Sequence, residues 1–521
     1  MPFLKSSSFK IILLILTILV FAAGIIVFFI PPSIFPDPSW GFQVMRSMQL
    51  GGGFNLIIGP DPADISKNLA SFLSWWSPGQ YLVPYLFKLV FGVNTGQASA
   101  LTVAVCNLSG LAGFYCFFKK IGFTKLIAAI SLVFIICQQA FWIPYAFYNG
   151  GETLLFAFEG WFLYGCVALT KPGLKLIAFV LISGWVGFIC KSSFMWIYAS
   201  GLLCLWIRLA ATQTNLLGWI KKGLWLGVPA VLSLGTIYML YLSKGENPAS
   251  MSGGFKLTFE AFSFPVASPL LAGFSVDDML KGLIFHTDGQ GFTPATILII
   301  LVLLVILSLL LVVAILRYVP NNNYRLFIVA FYGVSVLFFG YSFLRQAVIS
   351  YEGRHFRLIG ILVVPGLIYL VSHSKLPYRV VFLAVCMVIA FNSCKYISLI
   401  YKVNNGGAHG ITGISQQFID QQSLNYIMTT DRQKTNVIFA FISADIGLEI
   451  QHNRIITINS YYEGIEDDIV PYLGHAGPIY MVLPVSYTGK KATAMCQYFP
   501  GYKNFTATPL SSKSYVLYTA Q

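Results

Sequence analysis

Eleven long apolar stretches, separated by short polar ones, decide what this chain can become. They lie near residues 11–30, 97–118, 126–143, 153–170, 174–190, 192–209, 223–243, 294–316, 326–344, 358–374 and 379–400. A run of roughly 18 or more apolar residues is long enough to cross a bilayer as a helix. Lipid offers no partner to the backbone, so a spanning segment must satisfy its own hydrogen bonds. The pattern predicts a polytopic α-helical membrane protein with about 11 transmembrane helices. Composition agrees: 57% of residues are apolar and 10% charged, against roughly a quarter charged in soluble domains. The first stretch is long, lacks a small-x-small cleavage site and is followed by further spans, so it reads as a span rather than a signal peptide.

Charge sets the orientation. With eleven spans the two termini fall on opposite sides. The N-terminal side then holds Lys5, Lys10, Lys119, Lys120, Lys125, Lys171, Lys175, Arg208, Lys221, Lys222, Arg317, Arg325, Lys375 and Arg379, and no acid. By the positive-inside rule that side is cytoplasmic. The 19 acids lie in outer loops, the C-terminal tail or the outer end of a span. The net charge of +14 therefore reflects topology, and no nucleic-acid partner is implied. Eight of the nine cysteines fall in apolar spans and only Cys496 in the outer tail, which gives no disulfide framework. Walker, HExxH, paired CxxC and dinucleotide patterns are missing.

Residues 1–403 form the transmembrane module and 404–521 a small α/β extracytoplasmic domain. In the module, outer loop 31–96 is long and rich in Pro, Gly and Trp, with surface helices expected at 40–49 and 79–91. Residues 244–293 form a second long outer loop. After the flexible "NNGGAHG", the tail reads strand in "TNVIFAF", a helical turn or two in "ADIGLEIQ", and strands in "RIITIN", "PIYMVLPV" and "SYVLYTA".

The outer face holds the chemistry. Asp37, in "IFPDPSWGFQVM", follows the first span at once. A turn or cap would account for it, but a carboxylate at a wet-to-apolar boundary can also serve as a general base. Glu152 opens the fourth span, where the helix dipole alone would favour it. Glu159 lies two turns on, at membrane depth, where an ionisable group needs a function or a partner. Asp61 and Asp64 in "GPDPADIS" are further acids that turn geometry could explain. The cations Arg354, His355 and Arg357 in "YEGRHFR", with Arg345 and Lys191, sit on the side the positive-inside rule leaves poor in them. Pairing with acids or lipid headgroups would explain them; so would an anionic ligand, since arginine's fork suits phosphate. Asp37 with Glu152 could hold a divalent cation such as Mg or Mn, although no spacing requires one.

No nucleoside triphosphate is available outside a bacterial cytoplasm, so group transfer there needs an activated substrate drawn from the bilayer. A polyprenyl-phosphate sugar fits. The base deprotonates an acceptor hydroxyl, which attacks the anomeric carbon, and arginine takes the phosphate charge.

Residues and topology together resemble the GT-C superfamily of lipid-dependent glycosyltransferases, such as protein O-mannosyltransferases and aminoarabinose transferases. The resemblance covers the whole architecture, which is GT-C-like in its span number, its long first outer loop and its C-terminal outer domain. It implies that Asp37 in "PDPSW" is the catalytic carboxylate and Glu152 the recurring acid of the second outer loop. It also implies that "WWSPGQYLVPYLF" is the proline-containing helical segment, and that Arg354, then Arg357, in "EGRHFRLIGILVVP" correspond to the later arginine. Many members pair two acids after the first span; here Asp37 precedes Pro38, so Asp61, Asp64 or Glu152 would have to assist. The oligosaccharyltransferase tail signature is missing. The expected activity is sugar transfer to a glycan, lipid or protein acceptor at the outer face of a bacterial inner membrane. The competing readings are a polyprenyl-linked glycan polymerase or ligase, and a lipid-linked sugar transporter or flippase.

Overall fold

The computed structural model describes residues 8–245, 253–280, 292–458, 470–487, 490–510 and 514–521. The helices in chain order are α1 (Ser8–Phe29), α2 (Pro36–Gln49), α3 (Gly79–Phe91), α4 (Thr95–Ile121), α5 (Lys125–Cys137), α6 (Gln139–Ala146), α7 (Gly151–Ala168), α8 (Leu174–Cys190), α9 (Phe194–Ala210), α10 (Leu216–Leu240), α11 (Phe259–Leu271), α12 (Val276–Met279), α13 (Pro294–Tyr318), α14 (Asn322–Leu344), α15 (Arg357–His373), α16 (Leu376–Asn405), α17 (Gln421–Gln433) and α18 (Lys490–Gln497). The strands are β1 (Ser33–Ile34), β2 (Leu56–Asp61), β3 (Asp64–Phe72), β4 (Phe147–Tyr148), β5 (Ala408–His409), β6 (Ser415–Gln416), β7 (Ile438–Phe441), β8 (Arg454–Thr457), β9 (Ile479–Pro484), β10 (Thr506–Pro509) and β11 (Tyr515–Ala520).

Ten of the eleven apolar stretches fall on one helix each, and 126–143 falls on the bent pair α5–α6. Seven helices among the described residues are long and apolar enough to cross a membrane, or up to eight if the bent pair α5–α6 is one span. Two further apolar helices, α8 and α9, are shorter. The chain divides into two compact units. One comprises Met1–Ala23, Ala104–Pro144 and Gly151–Ser398; the other comprises Gly24–Val103, Tyr145–Gly150 and Leu399–Gln521.

In the first unit, α5 and α6 meet at 53°. A break in a helix frees carbonyls that must find other donors. Here Trp142 Nε1 donates to Ile136 O at 2.6 Å and Ser393 Oγ to Cys137 O at 2.9 Å. The expected loop 244–293 contains α11, which packs against α13, α14 and α15. Pro265 and Pro269 lie inside it. Neighbouring helices fasten the stretch between the two prolines: Tyr332 Oη donates to Val266 O at 2.7 Å and Ser308 Oγ to Ala267 O at 3.0 Å. Where α11 ends, Gly273 approaches Gly360 of α15; a Cβ on Gly360 would meet the Gly273 nitrogen at 2.5 Å. Small residues allow such close helix crossing.

The second unit holds a five-stranded sheet in the order β10-β11-β9-β7-β8. Strands β7, β8 and β9 run parallel, and β11 pairs antiparallel with β9 and β10. The period of two assigns alternate residues to two cores. Ile438, Ala440, Met481 and Leu483 pack with Met495 and Phe499 on one face. Phe439, Phe441, Tyr480 and Val482 pack with Leu424 and Ile427 of α17 on the other. Both faces are covered, which is why these strands read as unbroken apolar runs. Helix α17, which the sequence reading passed over, starts at Asp420, whose carboxylate accepts from the Gln422 and Ser423 nitrogens at 3.0 and 2.9 Å.

Loop 31–96 carries α2 and α3 at the expected places and also a hairpin, β2–β3, that was not expected. Helix α2 is fastened to the sheet. Gln43 Nε2 donates to Ala444 O at 3.0 Å and to Thr457 Oγ1 at 2.7 Å. Arg46, 7% exposed, donates to Ile450 O at 2.6 Å and Asn453 O at 3.0 Å.

Candidate functional site

The candidate residues fall in both units, and each set is built by its own local structure.

In the second unit, β1 pairs in parallel with β4, Ser33 opposite Phe147 and Ile34 opposite Tyr148. The Phe35 nitrogen donates to Tyr148 O at 3.0 Å. This pairing ties the segment leaving α1 to the segment leading into α7. It delivers Asp37, half-buried, to the first turn of α2. Asp37 is not the N-cap: that position is Phe35, with no side-chain cap bond. Asp61 and Asp64 face each other at the turn of the β2–β3 hairpin. Asp61 Oδ1 accepts from the Ala63 nitrogen at 2.9 Å. Asp64 accepts from the Ser66 nitrogen and hydroxyl at 3.1 and 2.6 Å and pairs with Lys67 at 2.9 Å. Hydrogen bonds from Ser66 and Lys67 hold the exposed Asp64 carboxyl at about 2. Turn chemistry accounts for both acids.

In the first unit, Glu152 lies in the first turn of α7 and Lys191 at the C-cap of α8. Lys191 Nζ donates to Glu152 Oε1 at 2.5 Å, the two side chains being 20% and 14% exposed. Arg354 Nη1 lies 3.6 Å from the same oxygen. The guanidinium is fixed from its other edge by Glu352, with Nε 2.5 Å from Oε2 and Nη2 3.5 Å from Oε1. Two cations thus converge on one carboxylate, and a second carboxylate pairs with the guanidinium. His355 Nε2 is 3.4 Å from Ser350 Oγ, and its ring lies against Phe339. Glu159 is buried one helical face below Glu152. Arg345 is exposed at the C-cap of α14.

Two acids that the sequence reading did not single out hold the arginine segment in place. Asp277 Oδ2 accepts from the Gly353 nitrogen at 2.6 Å. Asp278 Oδ2 lies 3.9 Å from Arg357 Nη2, while Arg357 Nη1 donates to Ala140 O at 3.2 Å. Burial pushes the Asp278 carboxyl above its ordinary value, against the pull of Arg357. The available signal was the adjacent pair in "SVDDML", two outer acids with outer cations to match.

Glu152 Oε1 is engaged by both Lys191 and Arg354. Among the described residues no group of three or more His, Cys, Asp or Glu is placed to hold a metal ion.

The sequence matches no family model and no curated protein. The chain is similar to several solved structures at low sequence identity. One is ArnT from Cupriavidus metallidurans bound to undecaprenyl phosphate: 11% identity, 96% of this chain and 97% of that one, TM-score 0.48. Another is the arabinofuranosyltransferase AftD from Mycobacteria: 13% identity, 96% of this chain and 41% of that one, TM-score 0.48. A third is the oligosaccharyltransferase AglB from Archaeoglobus fulgidus, in complex with an inhibitory peptide and a dolichol-phosphate: 12% identity, 98% and 74%, TM-score 0.49. At TM-scores below 0.5 these likenesses carry no argument about activity.

Proposed function

We propose that the chain is an integral membrane glycosyltransferase. It moves a sugar from a polyprenyl-phosphate donor to an acceptor hydroxyl at the outer face of a bacterial inner membrane. The apolar helices form about eleven crossings, with the N-terminus cytoplasmic and the C-terminal α/β domain extracytoplasmic. The observation that carries the reading is the convergence of Lys191 and Arg354 on Glu152, with Glu352 fixing the guanidinium. Cations held in a set geometry suit a phosphate whose charge grows as its bond to carbon breaks.

The residues then take these roles. The Asp37 carboxylate accepts the proton of the acceptor hydroxyl, whose oxygen bonds to the anomeric carbon. The bond from that carbon to the phosphate oxygen breaks, and the electron pair leaves with the polyprenyl phosphate. Arg354 and Lys191 stabilise the departing charge, with His355 and Arg357 beside them. Glu152 holds the two cations in register, and Asp277 and Asp278 position the segment that bears the arginines. Glycan, lipid and protein hydroxyls are all chemically competent acceptors.

The experiment is reconstitution of the purified protein in liposomes with labelled polyprenyl-phosphate monosaccharide. Release of sugar from the lipid supports a transferase. Movement of intact donor across the bilayer without cleavage would make the protein a flippase and overturn the reading. Products lengthened by many repeats would favour the polymerase alternative.

A further inference from the structure

Two buried polar side chains entering α3 lack a hydrogen-bond partner among the described residues, and neither is used in the mechanism above. They are Gln80, 4% exposed, and Ser77, 5% exposed, in "SPGQ" at the start of α3. Gln80 Nε2 and Ser77 Oγ have no partner among the described residues. The rest of this region is well satisfied. Tyr148 Oη donates to the Gln80 carbonyl at 2.6 Å, and Tyr81 Oη to Asn55 Oδ1 at 2.7 Å. An orphaned buried donor costs free energy that a folded chain ordinarily avoids. Two within four residues call for a ligand.

The surroundings place Gln80 by the candidate base, with Ser77 three residues before it. Gly41 lies one turn after Asp37, on the same face of α2. A Cβ there would sit 3.2 Å from Gln80 Nε2 and 3.1 Å from the Tyr81 ring. Gly150, with φ +58°, lies on the other side. A Cβ on it would meet Gln80 Cβ at 2.8 Å, Gln80 Oε1 at 2.9 Å and Pro38 Cγ at 3.2 Å. Glycine at both positions leaves the carboxamide room beside the Asp37–Pro38 peptide. The groups are uncharged donors next to a carboxylate. An anion would be repelled by Asp37. A hydroxyl can accept from the amide and the serine while donating to the carboxylate.

The geometry points to Gln80, with Ser77, as a hydrogen-bonding contact for a hydroxyl-bearing sugar beside Asp37. This rests on the reading of Asp37 as the base of a sugar transfer. The sugar belongs either to the lipid-linked donor or to the acceptor glycan, and the two sources give different kinetics.

The test uses full-length protein in detergent, comparing wild type with Gln80→Leu, Ser77→Ala and Asp37→Asn. The probes are a panel of polyprenyl-phosphate monosaccharides, with envelope glycan as acceptor. Removing an unpaired buried polar group leaves Tm unchanged or raises it. Loss of a ligand contact raises KM about tenfold. If the donor's sugar is bound, KM for donor hydrolysis rises. If the acceptor's sugar is bound, hydrolysis is unchanged and transfer falls. A lowered Tm in both variants makes the groups structural and overturns the proposal whatever the rates. Unchanged hydrolysis and transfer overturn it too. Should Asp37→Asn match wild type, the reading of Asp37 as the base falls separately. Thermal stabilisation by a probe then decides the site: present in wild type and lost in Gln80→Leu upholds it, and equal stabilisation rejects it.

Discussion

Arg46 is the point at which stability and placement of the candidate base meet. Its guanidinium donates to Ile450 O and Asn453 O. Those carbonyls lie in a loop organised by Asp431, which accepts from the Gln451 nitrogen at 2.8 Å and the Asn453 side chain at 3.0 Å. Burial lowers the Arg46 pKa from 12.5 to about 10, with Asp431 opposing the shift, which corresponds to about 3 kcal/mol against the charged form. Arg46→Met removes that cost but also two bonds from a charged donor, worth about 1.5–3 kcal/mol each. The bonds match or outweigh the cost, and the net loss is about 0–3 kcal/mol, with a midpoint near 1.5. At roughly 2–4 °C per kcal/mol for a large domain, Tm falls by about 5 °C.

The effect on turnover is larger than the effect on stability. Asp37 lies nine residues upstream on the same helix, about 14 Å away along the axis. A tilt of about 5° at the loosened anchor moves it by about 1 Å, a displacement that can cost about 10²-fold in rate. Donor KM changes little, because the cations belong to α8 and the segment before α15. Arg46→Lys falls between, since one ammonium does not reproduce the fork. The assay is thermal unfolding beside donor-cleavage kinetics on folded protein. An Arg46→Met protein with unchanged Tm and kcat within about twofold of wild type would refute the reasoning.

Asp277→Ala removes the acceptor of the Gly353 nitrogen; donor KM is expected to rise about tenfold with Tm lowered by only a few degrees, read by the same kinetics. Gly360→Ala drives a methyl group into the backbone at Gly273 and is expected to cost about 1–3 kcal/mol, read as a lower Tm. Burial raises the carboxyls of Asp445 and Glu449 above their ordinary values of 3.8 and 4.5. The folded chain therefore keeps protons that the unfolded chain has released. Their contribution is greatest below the ordinary values and declines as pH rises through the folded ones. Thermal unfolding between pH 4.5 and 8 should show a flatter profile in Glu449→Gln than in wild type.

What the sequence disclosed follows from periodicity. Apolar runs placed every long helix, because lipid and protein interior both demand such runs whatever the tertiary partners. Alternation and unbroken apolar segments placed β7, β8, β9 and β11 for the same reason. Helix α11 was hidden because Pro265 and Pro269 look like breakers. Inside the bundle α11 is held by other helices, the hydroxyls of Tyr332 and Ser308 donating to carbonyls between its two prolines. The bend at Gln138 draws one donor from nearby, Trp142, and one from far along the chain, Ser393. At the candidate site, Glu152, Lys191 and Arg354 were singled out by sign and side of the membrane, and the structure brings those three together. Asp277 and Arg46 were not, since their partners lie 76 and more than 400 residues away in sequence. Gln80 carries no charge and sits in an apolar helix, so only its missing partner marks it.

The account rests on Asp37 acting as a base. The most direct measurement is release of labelled sugar from polyprenyl-phosphate monosaccharide by purified wild type and by Asp37→Asn, with donor binding measured on the same samples. The account predicts that cleavage in the mutant falls by about 10²–10⁴-fold while the donor still binds. Equal cleavage in both would contradict it and leave Asp37 as a first-turn residue of α2 with no part in the reaction.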